Sequence, residues 1–331
     1  MAKVAINGLG RIGRAALKII LETPELELEA VNDLVANGNL AYLLRYDTAY
    51  GRYQKKVESD DSHLTVDGKK IRTFHEKDPS QLPWRELEID LVFECTGAFA
   101  KPEDLVKHVK AGAKHVILSA PAKGDEVATV VHGVNTPDEE SPEIISCASC
   151  TTNCITPVVE VMGRRVGIKK AVMTTIHAYT STQGIVDVPN KKMRRGRAGA
   201  ANFVPTSTGA AKATTKALPQ YQGKFDGVAV RAPILVGSLA DIIFLTEKAT
   251  TVEEVNNIFK EESRTDRYQG ILGVTEEPLV SSDIIKDPRA SVVDLSMTQV
   301  VDGDLVKVMS WYDNEWGYAS QMIKEALRIL K

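Results

Sequence analysis

Cysteine is scarce in this chain. There are four in 331 residues, too few for a disulfide scaffold to stand in for a hydrophobic core. Charge of either sign is not in excess: the formal net charge is -3, which gives no overall drive toward nucleic acid or an acidic membrane surface. The most basic run, KKMRRGR at 191–197, lacks the interleaved aromatics of a single-strand binder. Long apolar runs are missing too; IDLVFECTGAFA comes nearest and is broken by Glu94 and Gly97. The opening MAKVAINGLG has no basic region followed by an apolar stretch and a cleavage site. The expectation is a cytoplasmic protein, with reduced thiols and no membrane partner.

What remains is an ordinary globular balance, 43% hydrophobic and 26% charged, in a chain long enough for two domains. The first half alternates short apolar runs with helical patterns. KVAINGLG reads as a strand entering a glycine turn, RIGRAALKIILE as a helix and LELEAVND as the next strand. DLVFECTG, EDLVKHVKAGA and HVILSAPA repeat the rhythm, which predicts a parallel sheet of βαβ units. After residue 150 one helix precedes longer strand patterns, FDGVAVRAPILVGSLADIIFLTE and ASVVDLSMTQVVDGDLVKVMSWYD among them, in which DG marks a hairpin turn. The prediction is an α/β chain: an N-terminal Rossmann dinucleotide-binding domain over 1–149, and an α+β catalytic domain over 150–314 with a mostly antiparallel mixed sheet. An amphipathic helix at 315–331 is expected to pack back on the first domain.

Gly8, Gly10 and Gly13 form G-x-G-x-x-G between a strand and a helix. Only glycine allows so tight a turn and so close an approach to a pyrophosphate, which the free N–H groups of the helix start then meet. Asp33 ends the following strand, where its carboxylate can accept from a ribose hydroxyl and repel a 2′-phosphate. That favours NAD over NADP. Thr96, Gly97 and Ser119 are expected on the same crevice.

Three of the four cysteines crowd into ISCASCTTNCITP. No further C-x-x-C pair exists to close a tetrahedral site, so no metal is expected. A helix starting near Cys150 would put that thiol alone at an N-terminus, where the dipole favours a thiolate. Cys154, one turn on, and Cys147, upstream, are expected to fill core positions. A nucleophilic thiolate calls for a base. Of the six histidines, five lie in the first half, in polar or helical surroundings; His177 alone lies in a second-half strand, MTTIHAYT. Two helix starts with hydroxyl donors, Ser149/Thr151 and Thr208/Gly209, suit phosphate oxygens. Arg231, inside the apolar strand VAVRAP, needs an anion or carboxylate to justify burial. This reasoning does not separate Arg194 from Arg195.

INGLGRIGR, SCASCTTNC, PTSTGAAKA and WYDNEWGY, in this order, closely resemble the phosphorylating glyceraldehyde-3-phosphate dehydrogenase family, with AYLLRYDTAYGRY and SAPAKGD extending the likeness nearly end to end. The resemblance implies a Rossmann domain, an eight-stranded catalytic sheet and a homotetramer. It implies NAD-dependent oxidation of glyceraldehyde 3-phosphate in glycolysis, with inorganic phosphate as second substrate. Cys150 would be the nucleophile and His177 its base. Arg11, Ile12, Asp33, Ser119 and Asn314 would touch NAD; Ser149, Thr151, Thr208 and Gly209 would hold the attacking phosphate; Thr180, Arg195 and Arg231 would hold the substrate's phosphate. Val188 and Pro189 match the NAD-preferring form of their loop. Thr182 stands where many relatives carry aspartate, and Cys147 where asparagine is frequent. Two other readings are weaker: an erythrose-4-phosphate dehydrogenase, which shares the thiol and histidine but passes the acyl group to water, and a dinucleotide crevice that binds single-stranded RNA.

Overall fold

The computed structural model describes residues 1–137 and 142–331, which form two compact units. The first comprises residues 1–130, 137–148 and 322–331; the second comprises 131–136 and 149–321.

In the first unit the helix and strand periods of the sequence are realised almost segment by segment. β1 (Ala2–Asn7), α1 (Arg11–Ile20) and β2 (Leu26–Asn32) form the opening βαβ. α2 (Asn37–Arg45) and a hairpin of β3 (Tyr46–Asp47) and β4 (Gly51–Arg52) follow, then β5 (Val57–Ser59), β6 (His63–Val66) and β7 (Lys69–Phe74). β8 (Leu91–Glu94), α3 (Pro102–Ala111), β9 (His115–Leu118), β10 (Ala128–Thr129) and β11 (Ile144–Ser146) complete it. The sheet order is β10-β11-β9-β8-β1-β2-β7-β6-β5. It is parallel from β10 to β7, and β6 and β5 add on antiparallel. β1 lies between β2 and β8, so the strand order reverses there and opens a crevice at the carboxyl ends, the usual ligand position in such sheets. β1 and β8 are apolar on both faces, as strands covered on both sides must be. The antiparallel extension carries only weak alternation and was not visible in the sequence.

The second unit opens with α4 (Cys150–Arg165), which Ser149 caps by accepting from the Thr152 N–H at 3.1 Å. Then come β12 (Ile168–Ala178), β13 (Val204–Ser207), α5 (Ala210–Ala217), β14 (Phe225–Ala232), β15 (Ser238–Thr246), α6 (Val252–Glu262), β16 (Leu272–Thr275), β17 (Ser291–Val301) and β18 (Leu305–Tyr312). Their order is β13-β14-β12-β15-β18-β17-β16, mixed and mostly antiparallel. Seven strands bond into this sheet where the resemblance implied eight: Ser291–Val301 continues as one strand through a register shift between Asp294 and Gln299. Of the two DG pairs in those patterns, Asp302-Gly303 at φ 49 and 78 joins β17 to β18, whereas Asp226-Gly227 lies within β14. β14 and β15 are not hairpin partners, because β12 inserts between them. α7 (Trp316–Ile329) ends the chain; residues through Gln321 belong to the second unit and those from Met322 to the first.

α4 lays Cys154, Ile155, Val158, Val159 and Met162 into the second core, with Phe244, Phe259 and Tyr268. It also carries a carboxylate there. Glu160 accepts from Arg164 Nε at 2.8 Å, Arg267 at 3.1 Å and Tyr268 Oη at 2.5 Å. Glu262 accepts from Arg164 at 2.7 Å and Arg165 at 2.6 Å. Burial raises the Glu160 pKa, but Arg164, Tyr268 and Arg267 outweigh it and hold it below the ordinary glutamate value; Arg164 does the same for Glu262. Both carboxylates therefore add stability above the ordinary glutamate pKa, and it fades as pH falls through their lower folded values. Glu160→Ala, which leaves the buried Tyr268 hydroxyl without its acceptor and removes one partner from each of two half-exposed guanidiniums, should cost about 1–3 kcal/mol. Glu160→Gln should flatten the acid limb of a thermal-melting profile between about pH 5 and 3. An unchanged profile would contradict the assignment.

Candidate active site

The glycine turn closes the carboxyl end of β1. Gly8 has φ 93, and a Cβ there would meet the Thr96 nitrogen at 2.7 Å. A Cβ on Gly13 would lie 1.9 Å from the Gly8 carbonyl oxygen. These two glycines are required by the protein's own packing. A Cβ on Gly10 would meet nothing within 4 Å, and no side chain caps the start of α1. The open side of the turn therefore faces a cavity of about 800 Å³, lined among others by Asn7, Gly8, Gly10, Asn32, Asp33, Cys95, Thr96 and Phe99. Its walls are the carboxyl ends of β1, β2 and β8. Asp33 accepts from the Leu9 N–H at 2.7 Å and the Val35 N–H at 3.0 Å, so its carboxylate also braces the turn. An uncapped helix start, a side-chain-free turn and a carboxylate at the tip of β2 fit a dinucleotide.

Other residues expected here fall into place with differing fit. Gly97 has φ 72 in the loop after β8. Ser119 follows β9 and hydrogen-bonds the Cys95 thiol, whose pKa burial pushes up to about 12. Arg11 pairs with Asp47 at 2.6 Å and lies over the Tyr50 ring, while Ile12 is half-buried in the first turn of α1.

Sequence reasoning missed what supports this wall. Glu94 and His108 are fully buried. Trp84 Nε1–H donates to His108 Nδ1 at 3.0 Å, so His108 Nε2 carries the proton it gives to Glu94 Oε2 at 3.1 Å. Glu94 also accepts from Asn7 Nδ2 at 2.6 Å and from the Thr96 N–H and hydroxyl. Asn7 in turn accepts from Asn32. His108 is thus no surface residue of a polar helix; it sits on the buried stripe of α3 with Leu105.

In the second unit, Cys150 is the first residue of α4 and His177 lies near the end of β12. Ala148, at φ 55, precedes the cap, a left-handed conformation that costs an alanine about 1 kcal/mol. Cys150 Sγ lies 3.3 Å from His177 Nε2. Tyr312, unremarked in the sequence, holds the two elements together. Its hydroxyl bonds Thr151 Oγ1 at 2.9 Å and Thr175 Oγ1 at 2.8 Å, and its ring meets His177 edge-on. His177 Nδ1 lies 2.7 Å from the Ala178 carbonyl oxygen and 2.6 Å from an Arg231 terminal nitrogen.

The electrostatics differ from the expected thiolate. Burial raises the Cys150 thiol pKa above its usual value, against the pull of Arg231 and the Thr151 N–H. Burial, then Arg231 and Arg195, lower His177 to about 3. Burial is the largest cause at both groups, and it opposes the charge that the helix dipole favours on the thiol. Cys154 and Cys147 do fill core positions, 0% and 3% exposed, with burial pushing Cys154 up to about 12.

Around the pair, Ser149 Oγ and Thr152 Oγ1 are 2.7 Å apart and Thr151 is occupied by Tyr312. Thr208 Oγ1 accepts from the Ala210 N–H, and Gly209 is the N-cap of α5. Thr180 and Thr182 join hydroxyls at 2.8 Å. Arg195 reaches Thr206 Oγ1 and the Ser207 carbonyl, and its charge is felt at His177; Arg194 is exposed beside Lys192 and Met193. Arg231 has no carboxylate partner among the described residues. Asn314 accepts from Ser238 Oγ at 2.9 Å.

A Rossmann-type unit and a buried Cys–His pair at a helix start, in one chain, define a dinucleotide-dependent enzyme of the thiol class. The chain belongs to the glyceraldehyde-3-phosphate dehydrogenase family: the model for that family's NAD-binding domain matches residues 2–102, and the model for its C-terminal domain matches 149–314. It is 49% identical over 335 residues to the glyceraldehyde-3-phosphate dehydrogenase of Thermotoga maritima, covering 100% of both chains. It is 47% identical to glyceraldehyde-3-phosphate dehydrogenase 2 of Streptomyces avermitilis, covering 97% of this chain and 96% of the relative. The Zymomonas mobilis enzyme of the same name is 45% identical over 99% and 98%.

Gly13→Ala should abolish dinucleotide binding and cost about 1–3 kcal/mol, because its methyl must displace the Gly8 peptide. Calorimetric titration with NAD checks this; affinity within about twofold of wild type would contradict the fit.

Proposed function

We propose that this chain is a NAD-dependent phosphorylating glyceraldehyde-3-phosphate dehydrogenase of glycolysis, oxidising D-glyceraldehyde 3-phosphate to 1,3-bisphosphoglycerate. The observation that carries the reading is the 3.3 Å separation of Cys150 Sγ and His177 Nε2 at the start of α4.

The chemistry follows from that pair. His177 takes the thiol proton, and the sulfur bonds to the aldehyde carbon to give a thiohemiacetal. The Cys150 N–H, at the first position of α4, would stabilise its oxyanion. NAD, when bound, supplies the acceptor for the hydride that leaves this carbon. The carbonyl re-forms as a thioester on Cys150, and a phosphate oxygen then attacks it, breaking the C–S bond and returning sulfur as the thiol. Ser149, Thr151, Thr208 and Gly209 would hold the attacking phosphate. Thr180, Arg195 and Arg231 would hold the phosphate carried by the substrate, and the Arg231 that the strand buries without a carboxylate supports this. Sulfur is needed because its ester keeps the energy of oxidation available for transfer. Gly8, Gly10, Arg11, Ile12, Gly13, Asp33, Thr96, Gly97, Ser119 and Asn314 would serve NAD, and the Asp33 carboxylate favours it over a 2′-phosphorylated form.

The division 1–149 for cofactor and 150–314 for catalysis follows the same reading. A cytoplasmic homotetramer is the assembly we infer. Val172 and Val228 are 56% and 52% exposed on one sheet, and Ile185 and Met193 are 90% and 87% exposed in the loop after β12, more apolar surface than a monomer needs.

Purified enzyme should reduce NAD with glyceraldehyde 3-phosphate only when phosphate or arsenate is present, and Cys150→Ser should lower kcat by about four orders of magnitude. Full turnover without either anion would overturn the reading.

A further inference from the structure

Trp84 and Glu76 fix the direction of every hydrogen bond in the network beneath the glycine turn. An indole N–H only donates, and a peptide unit has one donor and one acceptor. At one end, Trp84 Nε1–H donates to His108 Nδ1 at 3.0 Å, which leaves the ring's proton on Nε2. At the other end, the Glu76 N–H donates to Asn32 Oδ1 at 2.8 Å, and the Glu76 carbonyl accepts from Asn32 Nδ2 at 2.9 Å. The Asn32 amide is thereby oriented, and its second hydrogen goes to Asn7 Oδ1 at 2.7 Å. Asn7 then turns its own Nδ2 to Glu94 Oε2 at 2.6 Å, the oxygen that His108 Nε2 meets at 3.1 Å. These two nitrogens stand 3.4 Å apart, as donors converging on one oxygen must. Glu94 Oε1 takes the Thr96 N–H at 2.8 Å and the Thr96 hydroxyl. Four donors, from β1, α3 and the loop after β8, thus end on one carboxyl group.

Three polar side chains at the cavity are committed in this way. Asn7, Asn32 and Thr96 all line it. Yet the Thr96 hydroxyl gives its hydrogen to Glu94 and accepts from the Ala98 N–H at 3.1 Å, and both amides are taken up within the network. What these residues offer a ligand is backbone held in place. The Thr96 nitrogen is the atom that a Cβ on Gly8 would meet at 2.7 Å. The Cys95 N–H donates to the Asn7 carbonyl and the Gly8 N–H to the Asn32 carbonyl, both at 2.7 Å. A shift of the Thr96 loop is therefore a shift of the glycine turn. A glutamine at 94 would have the same shape, but its NH2 would face either Asn7 and His108 or the Thr96 N–H, donors in both cases. The mismatch is relieved only by turning Asn7 away from Asn32 or by moving the Thr96 loop.

We propose that Glu94 is a positioning residue for the dinucleotide: it gathers Asn7, His108 and Thr96 so that the glycine turn and the loop after β8 keep the shape that NAD fits, and it does so by its acceptor positions rather than its bulk. His108 and Trp84, both fully buried, act through it. This rests on the reading that the cavity beside the turn takes NAD.

The test is calorimetric titration of the full-length enzyme with NAD and with ADP-ribose, which lacks the nicotinamide. Glu94→Gln should weaken both by about tenfold or more and by a similar factor, the cost of a buried donor left unmatched. The KM for NAD should rise with it, while kcat at saturating NAD stays within about threefold of wild type. A Glu94→Gln enzyme, folded by thermal melting, that binds NAD within about threefold of wild type overturns the proposal. A fall in kcat with KM unchanged overturns it too. His108 supplies a second comparison that does not need Glu94→Gln to fold. His108→Gln can still accept from Trp84 and donate to Glu94, whereas His108→Leu can do neither. Leucine should weaken NAD binding by about fivefold and glutamine should recover most of that; equal affinity in the two overturns the proposal. A wild-type enzyme that takes up no NAD overturns the reading of the cavity instead, so the two can fail independently.

Discussion

One sulfur–nitrogen contact, between Cys150 at the head of α4 and His177 at the end of β12, organises the second unit. Neither group is held by its own element alone. Ser149 fixes where the helix begins, the β12 register between β14 and β15 fixes the histidine, and the buried Tyr312 hydroxyl ties Thr151 of the helix to Thr175 of the strand. The same burial that secures the geometry works against ionisation: it raises the thiol pKa and lowers that of the imidazole.

The first unit solves a different problem, how to keep a side-chain-free turn rigid. Gly8 and Gly13 pack against backbone with no room for a methyl. Behind them a buried carboxylate, Glu94, gathers Asn7, Thr96 and His108 into one satisfied network, with Trp84 closing its far end. A buried carboxyl group with every oxygen engaged is costly to disturb at any single point, so the wall of the cavity is stiff where the ligand backbone must approach.

Much of this was legible in the residues. G-x-G-x-x-G between β1 and α1, Asp33 at the end of β2 and a helix starting at Cys150 are local signals, set by glycine sterics and by a serine cap. The distinction among the three cysteines also followed from position, since one helical turn separates a thiol at the N-terminus from one inside the core. What was not legible depends on contacts distant in the chain. Tyr312 meets Thr151 across 161 positions. His108 looks like one polar residue among many in EDLVKHVKAGA until Trp84 and Glu94 are brought against it. The helix dipole at Cys150 is visible in the sequence, whereas the burial that opposes it is not. Arg231 stands out in the sequence as a lone cation among valines, but its contact with His177 follows from the pairing of β12 with β14, where the two residues stand in register.

The account's central claim is that the acyl group rests on Cys150 between oxidation and phosphate attack. Enzyme mixed with NAD and glyceraldehyde 3-phosphate in phosphate-free buffer, quenched in acid within a few turnovers' time and digested, should yield the peptide containing Cys150 with the mass of a 3-phosphoglyceroyl thioester, and a phosphate chase before quenching should remove it. An adduct on Cys147, Cys154 or no cysteine, or one that phosphate does not discharge, would contradict the account.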